Sequence, residues 1–226
     1  MCGRFTITID LEDLREYLVD HYDITELKSE FQLPRYNIAP TQDVITILND
    51  GSKNRVGLLK WGLVPHFAKD EKIGASMINA KSETLIEKPS FKSSFQMKRC
   101  VILADSFYEW KREEHKKTPM RIGVTDQKIF PMAGLWSTFT RPDGTKLHTT
   151  TIITTHANEL MSEIHDRMPV ILNDDSVKEW LNPRNQDLNQ LSKLLKPYQS
   201  SSMYSYEVSS LVNNARNDLK ECILKA

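Results

Sequence analysis

Residues 99–111, RCVILADSFYEWK, set a continuous apolar run directly before a segment in which a carboxylate lies between aromatics. Arg99 to Leu103 and Ser106 to Trp110 read as adjacent strands, with Cys100 a buried core residue of the first. Outward toward the C-terminus, Met120 to Val124, Phe130 to Trp136, Leu147 to Thr155 and Met168 to Leu172 have strand character. Toward the N-terminus, Val44 to Leu48 and Val56 to Leu59 flank the turn signal Asn49-Asp50-Gly51 and predict a hairpin. Helical spacing of Leu11, Leu14, Tyr17 and Leu18 after Asp10, a good N-cap residue, predicts an early helix. Further helices are expected at Asn158 to Ile164, Asp174 to Leu181 and Asp187 to Leu195. Many strands of uneven length with few helices point to an α+β fold, a curved, mostly antiparallel β-sheet or barrel core with flanking helices.

The 226 residues fit a single domain, 1–226, with no internal repeat, and about 213–226 is open to two readings, a C-terminal tail or the finish of a channel. Hydrophobic residues make up 39% of the chain, yet no apolar run approaches the ~18 residues of a membrane span. Leu11 to Asp23 is acidic and amphipathic, unlike a secretory leader, so a cytoplasmic protein without a membrane partner is expected. Three widely spaced cysteines, Cys2, Cys100 and Cys222, offer neither a disulfide framework nor a zinc knuckle. His21, His66, His115, His148, His156 and His165 show no ligand spacing with them, so no metal or other cofactor is expected. The formal net charge of zero hides a gradient: residues 1–50 carry 4 basic and 10 acidic side chains, and 51–130 carry 16 and 9. The middle of the chain can therefore present a basic face to a polyanion.

MCGRF at the N-terminus raises a separate question, because removal of Met1 would give Cys2 a free α-amine as well as a thiol. Five other stretches, RYNIAP (35–40), WGLVP (61–65), INAKSET (78–84), DSFYEW (105–110) and IHDRMP (164–169), are richer in polar and aromatic residues than core strands need. Taken together and in this order, from Cys2 to about Val212, they resemble the SOS-response-associated peptidase (SRAP) family, the abasic-site sensors of bacteria, phages and eukaryotes. The resemblance implies one SRAP-type domain with a channel for single-stranded DNA and a covalent trap for abasic sites. It assigns the nucleophile to Cys2, and three further catalytic positions to Asn79, Glu109 and His165.

The chemistry of these residue types agrees with that assignment. An α-amine, with a reference pKa of about 7.7 to 8.0, is partly unprotonated near neutrality and can attack the aldehyde at C1′ of an abasic deoxyribose. The thiol on the same residue can then close a five-membered thiazolidine ring. Histidine suits the opening of the closed sugar, a carboxylate beside the amine can move its protons, and an asparagine can orient either partner. Candidate DNA contacts are Arg4, Asn37, Phe67, Lys81 and Arg167, with single-stranded DNA containing abasic sites as the partner of a monomeric protein. Two departures from the family are visible: lysine stands at Lys81 where arginine is usual, and His66-Phe67 where relatives often have tryptophan. Lysine keeps the charge but loses the bidentate fork, whereas Phe67 retains a π-face for stacking. Two other readings fit an N-terminal cysteine and a basic middle: a thiol peptidase or amidohydrolase, and a non-covalent single-strand-binding module.

Overall fold

A computed structural model describes residues 2–114, 116–125 and 127–226. Met1 and His115, which figure in the reading above, lie outside the described residues, as does Asp126. In chain order the elements are β1 (Phe5–Ile7), α1 (Leu11–Tyr22), β2 (Arg35–Ile38), β3 (Asp43–Asn49), β4 (Asn54–Trp61) and β5 (Asn79–Lys81). Then come α2 (Pro89–Met97), β6 (Arg99–Ala104), β7 (Ser106–Glu113), β8 (Lys116–Val124), β9 (Phe130–Thr140) and β10 (Lys146–His156). The chain finishes with α3 (Glu159–Ser162), β11 (Arg167–Pro169), α4 (Asp174–Leu181), α5 (Leu188–Lys193) and β12 (Met203–Glu207).

Among the described residues the strands form two sheets. One runs β12-β8-β7-β1-β2, all antiparallel. In the other, β4-β3-β6-β9-β10 closes on itself because β10 also pairs in parallel with β4, at Thr149↔Lys60 and Thr150↔Trp61. Closure leaves this ring without a free edge. β5 and β11 add to β10 beyond it.

The opening stretch joins the two sheets. All six residues of β6 are buried, since it lies between β3 and β9 and packs against α2 and α4, which explains its unbroken apolar run. Asp105 then turns the chain out of the ring and into β7 of the open sheet. Its carboxylate accepts hydrogen bonds from the hydroxyls of Thr6 and Thr8 and from the Thr8 amide, so the same residue fastens β1 to the corner. β1 is thereby held between β2 and β7, and Cys2 enters the molecule's interior rather than its surface. Phe5 packs edge-on against the buried Trp61, at 5.2 Å between ring centroids.

The predicted early helix is present from Leu11, capped by Asp10 accepting from the Asp13 amide, with Leu14, Leu18 and Tyr22 inward. β3 and β4 form the predicted hairpin, with Gly51 at φ 98°, a left-handed turn position that favours glycine. Helices over 159–162, 174–181 and 188–193 fall within the predicted segments.

Arg99 opens β6 and is almost wholly buried. It donates to the carbonyls of Phe95, Gln96, Trp180, Asn182 and Asn185, tying α2 and the end of α4 to the ring. A charge this deep is tolerable only because so many acceptors surround it. Arg99→Ala is expected to lower unfolding stability by about 2 kcal/mol, the loss of charge-assisted hydrogen bonds, as measured by urea denaturation.

Residues 213–226 pack on the domain, which excludes the tail reading of this segment. The Asp218 carboxylate accepts from Arg35 and from the amides of Tyr36 and Asn37 on β2. Val212 and Cys222 share a small apolar cluster with Tyr108 and Val208, and the Tyr108 hydroxyl donates to the carbonyls of Tyr36 and Cys222.

Candidate active site

The four positions expected to carry chemistry come from four separate elements and converge. Cys2 precedes β1 and is fully buried with a free thiol. Asn79 begins β5, which the parallel pairing with β10 holds at Ile152↔Asn79. Its Nδ2 donates to the Cys2 carbonyl at 2.8 Å, which fixes the amide's orientation, because an amide oxygen has no proton to give a carbonyl. The Asn79 Oδ1 on the other side is buried with no partner among the described residues, an acceptor available to a substrate hydroxyl or amine.

Glu109 lies on β7, two residues past the Phe5↔Phe107 pairing that aligns this strand with β1, and is 3% exposed. It is close enough to Cys2 for the two to feel each other. Burial pushes the Cys2 thiol above the ordinary thiol range, and the negative charge of Glu109 pushes it further in the same direction. Both influences disfavour the thiolate, against a smaller opposing pull from a backbone hydrogen bond at Arg4.

His165 follows α3, where its amide donates to the Met161 carbonyl at 2.7 Å, and its side chain is 21% exposed. Nδ1 lies 3.0 Å from the Arg167 amide nitrogen and 2.7 Å from the carboxylate of the exposed Asp166. One ring nitrogen cannot both accept from the amide and donate to the carboxylate. With the amide contact made, a neutral imidazole carries its proton on Nε2 and offers it away from the backbone. His165 and Glu109 line one cleft of about 380 Å³ together with Trp110, Arg112, Lys117 and Asn213. Hydrogen bond, charge proximity and shared cleft thus link Asn79 to Cys2, Cys2 to Glu109, and Glu109 to His165.

The expected DNA contacts divide into two groups. Lys81 and Phe67 are exposed, Phe67 at 55%, and its ring meets that of His66 edge-on. Arg4, Asn37 and Arg167 are occupied within the protein. Arg4 donates to Asn37 Oδ1 and the Val212 carbonyl, both at 2.8 Å, and to the Asn213 carbonyl. Asn37 is fully buried, and its Nδ2 donates to the carbonyls of Val212, Asn214 and Asn217. The expectation that Asn37 meets DNA is corrected by this geometry: it and Arg4 pin the C-terminal segment beside the site. Arg167 is 6% exposed and forms a fork with both carboxylate oxygens of Glu83, at 2.8 and 2.9 Å, while also donating to the Thr154 carbonyl. Its guanidinium spans β11 and the turn after β5, and among the described residues its buried Nε has no hydrogen-bond partner.

Glu83 was not singled out in the sequence, although it stands in the same stretch as Asn79. Partial burial resists its ionisation, but hydrogen bonds from Arg167 and from its own amide, with the charges of Arg167 and His156, outweigh that. They hold it at about 2, below its ordinary 4.5. A carboxylate depressed on folding adds stability above its unfolded pKa and loses it as pH falls toward its folded one. Glu83→Gln is accordingly expected to flatten the fall in stability between pH 5 and pH 2, as read by urea denaturation. At pH 7 the same change should cost about 1 kcal/mol, a value kept small by the carboxylate's exposure to solvent.

The comparisons with known proteins agree with this arrangement of elements. A family model described as SOS response associated peptidase (SRAP) matches residues 1–215. The chain is 52% identical over 225 residues to abasic site processing protein YoqW of Bacillus subtilis (strain 168), covering 99% of each. With abasic site processing protein HMCES of Xenopus tropicalis it shares 31% identity over 262 residues, 99% of this chain and 78% of that protein. A crystal structure of a Bacteroides thetaiotaomicron protein superposes with a TM-score of 0.88 at 27% identity, covering all of both chains.

Proposed function

Because the chain belongs to the SOS response associated peptidase family, we propose that it captures abasic sites in single-stranded DNA through a covalent bond to Cys2. The observation that carries this reading is the linked set of Cys2, Asn79, Glu109 and His165, four groups suited to amine–aldehyde chemistry on one buried N-terminal residue. The names of the relatives point to the same lesion.

The reaction begins once Met1 has been removed. His165, on the wall of the cleft, exchanges the protons needed to open the cyclic hemiacetal to the aldehyde. The α-amine of Cys2 adds to C1′ and forms a carbinolamine, and loss of one water gives the imine. Glu109 accepts and returns protons in that step. The Cys2 sulfur then bonds to C1′ while the thiol proton passes to nitrogen, closing the thiazolidine. The net change is release of one water, with no oxidation. Asn79 holds the Cys2 carbonyl through Nδ2 and offers Oδ1 to the sugar or the amine. Exposed Lys81 and Phe67 meet the neighbouring phosphate and base, and no base-edge readout is needed.

A thiolate peptidase asks for the opposite electrostatics, a thiol held low by positive neighbours. Burial and the Glu109 charge push Cys2 the other way, which weighs for the aldehyde reading. The test is a denaturing gel of the Met1-free protein with single strands that do or do not carry one abasic site. A heat- and detergent-resistant shifted band with the abasic strand alone is expected. The same band on the undamaged strand, or none on either, overturns the proposal.

A further inference from the structure

The cleft that holds Glu109 and His165 has a cationic wall that the chemistry above does not use. Arg112 on β7 and Lys117 on β8 are direct cross-strand partners, both exposed and both lining the cleft. Like charges placed opposite each other in a sheet repel, so such a pair weakens the hairpin unless an anion lies between them.

The rest of the hairpin shows how the charges are otherwise managed. On the opposite face, Lys111 has Glu113 at 3.4 Å and Lys116 has Glu207 at 3.5 Å. Among the described residues neither Arg112 nor Lys117 makes an ion pair. Trp110 shares their face, one pleat further along, and is fixed by Nε1 donating to Asn213 Oδ1 at 2.7 Å. Two uncompensated cations beside a fixed indole, open to the cleft of the reacting groups, match one nucleotide unit: a phosphodiester for the charges and a base or sugar for the ring.

We propose that Arg112 and Lys117 form a phosphate subsite that takes a backbone phosphate next to the lesion, with Trp110 stacking on the adjoining nucleotide. This deepens the functional reading above and rests on it. DNA would then cross the β7–β8 hairpin, in addition to the surface of Lys81 and Phe67, and the subsite would hold one flank of the abasic position against the cleft.

The test compares two double variants of equal charge change, Arg112→Gln/Lys117→Gln and Lys111→Gln/Lys116→Gln. Binding of an undamaged single strand is followed by fluorescence anisotropy across a salt series. For single strands each phosphate contact contributes about 0.7 to the slope of log affinity against log salt, so losing the one phosphate of this subsite should make the first variant shallower by about 0.7. The second should keep the wild-type slope. Melting temperature of the first should be unchanged or slightly higher, because the substitution relieves a repulsion.

Equal slopes for wild type and the first variant overturn the subsite, as do equal losses in both variants, which would reveal only a diffuse charge effect. The readout uses undamaged DNA and is therefore separate from covalent capture. Wild-type protein that binds with the expected slope difference but never crosslinks would refute the capture reading and leave the subsite standing.

Discussion

Cys2→Ala is expected to abolish the heat-stable DNA adduct while leaving the protein folded. Alanine keeps the α-amine, so C1′ can still become an imine, but without Sγ nothing closes the ring, and water returns the aldehyde. The stable band should fall by at least about 100-fold, reflecting loss of an intramolecular thiol whose effective concentration no external thiol matches. Borohydride should restore a band by reducing the imine, which separates loss of ring closure from loss of DNA binding. Cys2→Ser should behave much like Cys2→Ala, because a hydroxyl is the poorer nucleophile. Removing one buried sulfur leaves a small void and should cost about 1 kcal/mol of stability. An undiminished heat-stable band from Cys2→Ala without borohydride would place the bond elsewhere.

The second large effect concerns Glu109. Glu109→Gln preserves shape and burial but takes away the proton acceptor beside Cys2, and the rate of adduct formation should drop by about 1,000-fold, within the range for general acid–base catalysis. Formation and reversal should slow together, since both cross the same carbinolamine. The substitution also has a sign that a purely structural role would not predict. Glu109's charge is one of the two influences holding the Cys2 thiol up, so its removal should move the midpoint of thiol alkylation to lower pH. An unchanged midpoint together with an unchanged rate would mean that Glu109 does not act on Cys2.

Much of the fold was legible because its strongest signals are local. The apolar run of β6 records burial on both faces, and the turn at Asn49-Asp50-Gly51 fixes a hairpin whatever surrounds it. Other elements carried no such signal. β5 is three residues long and exists because β10 offers it an edge, while α2 buries Phe91 and Phe95 among serines and lysines too short a span to impose a period. Nothing local separates β12 from the serine-rich turn before it, and only the register with β8 makes it a strand.

The candidate site divides as well. Cys2, Asn79, Glu109 and His165 became candidates together only through the family resemblance of the stretches that hold them, since each stretch taken singly also has a structural reading. The roles of Arg4, Asn37 and Arg167 were not legible, since a side chain's charge and donors say nothing of which acceptors the fold brings to it. Acceptors from residues 212–217 reach Arg4 and Asn37 across more than 170 positions of chain, and Glu83 reaches Arg167 across 84. Arg112 and Lys117 gain meaning only from the β7–β8 register, which sets them opposite each other and on the other face of the hairpin from Glu113.

In the proposed adduct, nitrogen and sulfur of Cys2 end on the same carbon. The direct measurement is the intact mass of the purified adduct after denaturation and exhaustive thiol alkylation. The chain has three cysteines, none in a disulfide. A thiazolidine adduct should weigh the Met1-free protein plus the abasic strand minus one water, with two alkyl groups, on Cys100 and Cys222. Three alkyl groups on the adduct would show Cys2 sulfur free and the bond to be an imine at Cys2 or a lysine, contradicting ring closure.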